Sequence, residues 1–124
     1  MASAYTAFAN KGVRVQPRFV TKIVDANGKV VVDNTAVKEN RVTTEEVAKK
    51  MTSMLLTVYG SEGLGAPFSP AGKTIAGKTG TTEAINNDNG SRDQWMIGYT
   101  PDVVVATWMG YDQSGNYSLS ASSR

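Results

Sequence analysis

Two residue types that carry much of enzyme chemistry are missing from this sequence, which has no cysteine and no histidine. Without cysteine there is neither a disulfide framework nor a thiolate ligand for a metal. Without histidine a serine–histidine triad is impossible, and a transition-metal site would have only carboxylates to draw on. Zinc chemistry and histidine-based catalysis are therefore excluded, and we expect neither a metal nor a cofactor.

Long apolar runs and runs of like charge are also scarce. The longest apolar stretches, such as residues 103–109, are far too short to cross a bilayer, and residues 1–10 show no basic-then-apolar signal pattern. The 13 basic and 11 acidic residues are spread along the chain and give a net charge of +2. Nucleic acid is therefore not an expected partner, and any membrane anchor would lie outside these residues.

What is present is the composition of an ordinary folded domain. The chain has 124 residues, of which 40% are hydrophobic and 19% are charged. That length allows one domain with a modest core. The hydrophobic fraction is too high and the charged fraction too low for a disordered chain.

The first third of the sequence predicts a helix end followed by a hairpin. Residues 1–10 are rich in alanine and lead to Lys11-Gly12, which is typical of a helix C-terminus, so we expect the last turns of a helix from a longer protein. A short strand is expected at residues 13–15. Residues 19–25 and 29–33 flank Asn27-Gly28, a dipeptide that favours a β-hairpin with a type I′ turn.

A second helix is predicted over residues 44–59. Thr43 and Glu46 have the spacing of a capping box, in which the threonine hydroxyl and the glutamate carboxylate each accept from the other residue's amide. Apolar side chains then recur at helical spacing and end at Tyr59-Gly60; they are Val47, Met51, Met54, Leu55 and Val58. We interpret this stripe as core packing, and an adaptable methionine-containing binding groove is the alternative.

The last half of the chain predicts three strands. Residues 61–72 are rich in glycine and proline, which predicts a loop. Residues 73–82 are rich in threonine, which predicts an extended strand. Residues 84–92 are polar and predict a second loop. Strands are expected at residues 94–100 and 103–111 on either side of a Pro101-Asp102 turn. The serine-rich residues 113–124 predict a disordered or truncated tail.

Residues 72–79 match the nucleotide-binding pattern G-x-x-x-x-G-K-[ST] letter for letter. That pattern binds phosphates only where a buried strand enters the glycine loop and a helix begins at the lysine. Pro67 and Pro70 oppose a central strand before it, and a glycine with an asparagine-rich loop follows it. A P-loop nucleotide site therefore remains only as a minor alternative.

Read as a strand, the same region places Thr79 and Thr81 on one face and Lys78 and Gly80 on the other. Two hydroxyl groups at that spacing suit both oxygens of a terminal carboxylate, and a nearby lysine adds positive charge. Gly80 would let a ligand backbone approach closely. On spacing alone an ordinary threonine-rich strand with a solvated lysine is the preferred interpretation.

A family resemblance rests on two segments of this region. Residues 76–82 spell A-G-K-T-G-T-T, and residues 93–101 spell D-Q-W-M-I-G-Y-T-P. In this order they resemble the C-terminal part of the transpeptidase domain of class A penicillin-binding proteins, in which K-T-G is the third signature motif beside S-x-x-K and S-x-N. The similarity extends over nearly the whole chain.

The resemblance implies a serine acyltransferase that crosslinks the D-Ala-D-Ala stem peptides of peptidoglycan and that β-lactams acylate. It implies that Lys78 and Thr81 take part in catalysis, through the lysine charge and an oxyanion-hole amide on Thr81. Thr79, Gly80 and Thr81 would bind the substrate or β-lactam carboxylate. Such enzymes act on the extracytoplasmic face of the bacterial cell membrane.

One departure from the family pattern limits the activity that we expect. No serine is followed by lysine three residues later, since Ser69 and Lys73 are four apart, and the S-x-N at residues 114–116 follows Lys78 instead of preceding it. Without a nucleophile no covalent step is possible, so we expect the isolated chain to be inactive.

The fold expected from these observations is an α/β (α+β) fragment of the serine β-lactamase and transpeptidase-like fold over residues 1–124. It would have a partial antiparallel sheet with flanking helices. Its partner would be the remainder of the transpeptidase domain in a longer parent protein, and exposed apolar faces would favour self-association. A non-catalytic module that binds peptide carboxylates is the main alternative.

Overall fold

A computed structural model describes residues 1–84, 90–112 and 117–120. The helices and strands, in chain order, are α1 (Ala2–Ala9), β1 (Val13–Val15), β2 (Lys22–Val24), β3 (Val30–Asp33), β4 (Glu39–Arg41), α2 (Glu45–Leu55), β5 (Ala76–Glu83), β6 (Ser91–Tyr99) and β7 (Val104–Gly110). Short 3-10 helices lie at Leu56–Tyr59 and Ala66–Phe68. Within the described ranges the strands form antiparallel sheets β1–β4, β2–β3 and β5–β6–β7, which confirms the predicted α+β class.

The three-stranded sheet is the centre of the molecule, with β6 between β5 and β7. The predicted strands lie within three residues of the observed ones at each end. Ser91 and Arg92 are exceptions to the predicted loop at residues 84–92, because both belong to β6. Ser91 pairs with Glu83 of β5 and also forms a bridge to Leu119, which holds it in extended conformation. Residues 85–89 of that loop lie outside the described residues.

The core lies where the two helices cross one end of this sheet. Its buried hydrophobic residues are Ala7, Ala48, Tyr59, Ala76, Ile97 and Tyr99. The hydroxyl groups of Thr52 and Tyr99 are 2.9 Å apart and share a hydrogen bond. The Tyr59 hydroxyl donates to the Ile97 carbonyl oxygen at 2.9 Å. Two tyrosine hydroxyls that would be costly to bury unpaired thus tie the helical layer to the sheet.

The C-terminus of α1 has the form that the sequence predicts. The Gly12 amide donates to the Ala7 carbonyl oxygen at 2.7 Å, and Lys11 and Gly12 have φ angles of 52° and 90°. Gly12 is the second residue after the cap, and its bond to the last helical turn is the hydrogen bond of a Schellman motif. This motif requires a left-handed backbone conformation at the residue directly after the cap, which is Lys11. A side chain on Gly12 would also place Cβ 2.3 Å from the Thr43 carbonyl oxygen.

The predicted capping box of α2 is wrong by one residue. The cap is Thr44, whose hydroxyl accepts from the Val47 amide at 3.2 Å. Thr43 cannot serve as the cap because its amide donates to the Gly12 carbonyl oxygen, which draws it into the β1–β4 region. With the cap at Thr44, the third helical position is Val47, so Glu46 has no place in a capping box.

The apolar stripe of α2 is only partly in the core, so its interpretation as core packing is wrong for two of its members. Val47 and Met54 are 47% and 59% exposed, whereas Ala48 is 1% exposed. The small Ala48 is buried instead, and the Thr52 hydroxyl bonds to Tyr99 of the sheet. The α-helix also ends at Leu55, and the chain reaches Tyr59 through a 3-10 turn.

The hairpin β2–β3 is present, but its turn is not type I′. Gly28 has a φ of 80°, while Asn27 is not among the positive-φ residues that a type I′ turn requires. The Gly28 amide donates to the Asp25 carbonyl oxygen, and Asp25 and Lys29 close the loop. The Asp25 carboxylate accepts from the Asn27 and Lys29 amides at 2.9 Å each. These bonds build a type I turn followed by a left-handed glycine.

Part of the predicted disordered tail is paired. The Ser91 amide donates to the Leu119 carbonyl oxygen at 3.0 Å, and the Leu119 amide returns a bond of 2.7 Å. The Tyr111 and Tyr117 rings are 5.3 Å apart. Residues 113–116 and 121–124 of the tail lie outside the described residues. In the part of the chain that the structure describes, no helix has the length and hydrophobicity needed to cross a membrane.

Candidate functional site

The four predicted site residues lie together in the middle of β5, an outer strand of the central sheet. Lys78 is opposite Ile97, Thr79 opposite Met96, Gly80 opposite Trp95 and Thr81 opposite Gln94. Because side chains alternate along a strand, the two threonines share one face and Lys78 and Gly80 share the other.

Access to this strand is open on the side away from β6. In the described part of the sheet β5 pairs only with β6, so its other edge offers unpaired backbone groups. Lys78, Gly80 and Thr81 are exposed, and Thr79 is half-buried. A ligand could therefore reach both the hydroxyl face and the backbone edge.

The geometry contradicts the nucleotide-binding alternative. A P-loop needs a helix that begins at the Lys-Thr pair. Here Lys78 and Thr79 lie inside a strand that runs on to Glu83.

The start of β5 is fixed by a close approach between glycine and tyrosine. An ideal Cβ on Gly77 would lie 1.9 Å from the Ile97 carbonyl oxygen and 2.6 Å from the Tyr59 ring. An ideal Cβ on Gly98, the partner of Gly77, would be 3.8 Å from the Tyr59 hydroxyl. Burial raises the pKa of the Tyr59 hydroxyl, which keeps it neutral as a donor. The residue before Lys78 is thus held by packing.

The Lys78 ammonium group has N–H donors that are available to a ligand. Its Nζ donates to the Thr79 carbonyl oxygen at 2.7 Å. An ammonium has three N–H groups, so two remain for a ligand. Lys78 makes no ion pair with any residue in the described ranges. Its charge is therefore not neutralised by a carboxylate of the described chain.

A side-chain network that the sequence did not reveal supports the Gly80 face. Gly80, Trp95 and Trp108 are directly opposite one another across the three strands. The Trp108 indole N–H donates to Asp93 Oδ1 at 3.0 Å, and Arg92 Nε donates to Asp93 Oδ2 at 3.1 Å. The Trp95 Cβ lies 3.6 Å from where a Gly80 Cβ would be. The contact between Asp93 and Trp108 depends on the register of β6 and β7, which the sequence does not show.

No group of three or more potential metal ligands occurs in the described ranges. The S-x-N segment at residues 114–116 lies outside them. Ser69 is exposed and directly follows the Ala66–Phe68 turn. The site as described is thus a polar strand with an open edge, and its chemistry is hydrogen-bond donation and positive charge.

Comparison with known proteins identifies the family of this chain. The family profile described as "Penicillin binding protein transpeptidase domain" matches residues 1–124. The chain belongs to the penicillin-binding protein transpeptidase family. Penicillin-binding protein 2a of Streptococcus pneumoniae serotype 2 is 47% identical over 111 residues, which cover 90% of this chain and 15% of that protein.

Solved transpeptidase structures share the fold. The PonA1 protein of Mycobacterium tuberculosis, in complex with penicillin V, has a TM-score of 0.73 and 35% identity over 95% of this chain and 30% of its own. The D,D-transpeptidase domain of a peptidoglycan glycosyltransferase from Eggerthella lenta has a TM-score of 0.70 and 33% identity, covering 93% of this chain and 27% of its own. The chain is thus a fragment when measured against penicillin-binding proteins.

Proposed function

We propose that this chain is the part of a serine D,D-transpeptidase that holds the carboxylate of the stem peptide. The observation that carries the proposal is the open-edged strand β5, with the Thr79 and Thr81 side chains on one face and the Lys78 ammonium at the Thr79 carbonyl oxygen. Charge-assisted hydrogen bonds from paired donors are the strong ones, and a terminal carboxylate accepts two at once. The parent protein's substrate would be a peptide ending in D-Ala-D-Ala.

The roles of the residues follow from the chemistry of acyl transfer. Thr79 and Thr81 donate to the carboxylate, Gly80 allows the peptide backbone to approach, and Lys78 stabilises negative charge. The Thr81 amide supplies half of the oxyanion hole for the tetrahedral intermediate. β-Lactams would occupy the same strand; the PonA1 relative is a penicillin V complex, which supports β-lactam binding by the parent protein.

The nucleophile would come from the rest of the transpeptidase domain. Because no serine in the chain has lysine three residues later, the isolated chain forms no acyl-enzyme. The parent protein would work on the extracytoplasmic face of the bacterial cell membrane, where peptidoglycan is assembled.

Thr81→Val tests the carboxylate-binding role. Valine keeps the shape and strand propensity but removes the hydroxyl, so the affinity of the chain for an acyl-D-Ala-D-Ala peptide should fall about tenfold or more. Thr82→Val, one residue along on the opposite face, is the matched control and should change little. Equal effects of the two substitutions, measured by titration calorimetry, would refute the role of Thr81.

Labelling with a fluorescent penicillin separates the enzyme from a non-catalytic binding module. A parent protein with an intact S-x-x-K motif should label covalently and lose labelling with Lys78→Ala, while the isolated chain should not label. The binding-module alternative rests on the open polar strand alone, and it predicts peptide affinity without labelling in the parent as well. Covalent labelling of the isolated chain would contradict the assignment of the nucleophile to the remainder.

A further inference from the structure

The outer edge of β4 has a backbone pattern suited to pairing with another strand. Lys38 and Val42 turn their hydrogen-bonding groups toward β1, since the Lys38 carbonyl oxygen accepts from Gln16 and the Val42 amide donates to Gly12, each at 2.9 Å. Directions alternate along an antiparallel strand, so Glu39 and Arg41 point their N–H and C=O groups outward. Nothing in the described ranges pairs with that edge.

The side chains on this edge are complementary to themselves. If a second copy of β4 pairs antiparallel about a twofold axis at Asn40, Glu39 of each copy lies directly opposite Arg41 of the other. Both residues point outward, so the two opposed pairs would make four backbone hydrogen bonds. Opposite charges at directly opposed positions stabilise a sheet, and like charges destabilise it.

The same charges select one register. A shift by two residues, the smallest that keeps outward groups facing one another, would set Glu39 against Glu39 or Arg41 against Arg41. Glu39 makes no ion pair in the described part of the chain, and Arg41 uses only Nη1, for the Lys11 and Thr43 carbonyl oxygens at 3.0 and 3.1 Å. Glu39 is thus without an ion pair in the described ranges, and Arg41, whose charge also lowers the pKa of Glu45, keeps further N–H groups for a partner.

We propose that the Glu39–Arg41 edge is a homodimer interface that pairs with a second copy of this chain about Asn40. The flanking Val37 and Val42, which are 53% and 51% exposed, would be partly covered on pairing. A three-residue edge buries little area, so the association is weak and appears at high protein concentration.

A single engineered thiol tests the register, because the chain has no cysteine of its own. In the proposed dimer the two Asn40 Cα atoms form a non-hydrogen-bonded pair about 4.5 Å apart, within disulfide range. N40C should therefore crosslink rapidly under air oxidation with a copper catalyst. V42C is the matched control, because its partner across the interface is Lys38, and it should crosslink at least about fivefold more slowly.

Charge reversal tests the self-complementarity. E39R in the N40C background sets arginine against arginine and should slow crosslinking about tenfold, and adding R41E restores opposite charges and should restore the rate. R41E removes the Arg41 contacts to the Lys11 and Thr43 carbonyl oxygens, so thermal melts should check that the double variant folds. If it does not fold, the crosslinking rate of E39R, which keeps those contacts, tests the charge pairing by itself. V42C crosslinking as fast as N40C, or a rate unchanged by E39R, would overturn the proposal and indicate association through apolar faces.

Discussion

The central sheet and the β2–β3 hairpin are both antiparallel, but different forces fix their shapes. Strands β5 and β6 pair over eight positions and lie against the helical layer through Tyr59 and Tyr99. In the hairpin every strand residue except Val32 is exposed, and bonds from the Asp25 carboxylate hold the turn. The site strand is thus determined by tertiary packing, and the hairpin by turn chemistry.

The largest effect should come from adding one methyl group where the sheet meets the helical layer. In Gly77→Ala the new Cβ would overlap the Ile97 carbonyl oxygen and press on the Tyr59 ring. The strand must shift, so the free energy of unfolding should fall by about 3 kcal/mol or more. Urea denaturation measures it.

Gly80→Ala on the same strand is the control for that substitution. Its Cβ would meet only the Trp95 Cβ, at an ordinary contact distance of 3.6 Å. The expected change is below about 1 kcal/mol. If both variants lose the same stability, the contact at Gly77 does not determine the position of β5.

A smaller effect is expected at the tyrosine that holds the sheet. Tyr59→Phe removes the hydrogen bond to the Ile97 carbonyl oxygen and should lower the free energy of unfolding by about 1–2 kcal/mol at pH 7. Tyr117, which is 62% exposed, supplies the control Tyr117→Phe, for which no comparable loss is expected. Equal losses in the two variants would mean that the buried bond contributes nothing measurable.

The same tyrosine predicts a dependence on pH. Burial raises the pKa of Tyr59 and of Tyr99 above the ordinary value of 10.0. In the unfolded chain these groups ionise first, so stability is fully present below pH 10 and declines as the pH rises through the higher folded pKa values. Tyr59→Phe should make this decline shallower without removing the Tyr99 part. An identical slope in both proteins, from urea melts at several pH values, would contradict the link to Tyr59.

The sequence predicted well what depends on local pattern. Alternation placed Lys78 and Thr81 on a strand, and Lys11-Gly12 marked the end of α1, because strand period and glycine conformation are properties of neighbouring residues. Hydroxyl and charge spacing suggested carboxylate binding at Thr79 and Thr81, and those roles stay predictions.

What the sequence could not predict depends on distant residues. The helix α2 is capped by Thr44 instead of the predicted Thr43, because the Thr43 amide donates to the carbonyl oxygen of Gly12, some 30 positions earlier. The apolar period of α2 shows which face is hydrophobic but not what covers it, so the exposure of Val47 and Met54 was missed. The Asp93–Trp108 bond likewise depends on strand register, which no short motif encodes.

The smallest effect is expected in the hairpin, at a glycine chosen to match Gly77. Gly28→Ala meets no atom within 4 Å, so its only cost is the φ of 80°, about 1 kcal/mol for an L-residue. Because the hairpin is exposed, this cost should speed amide exchange within β2 and β3 about fivefold and leave β6 unchanged. Gly28→Asn should cost less, since asparagine tolerates the left-handed region. Faster exchange in β6 as well would mean that the hairpin and the sheet unfold together, and that packing determines both.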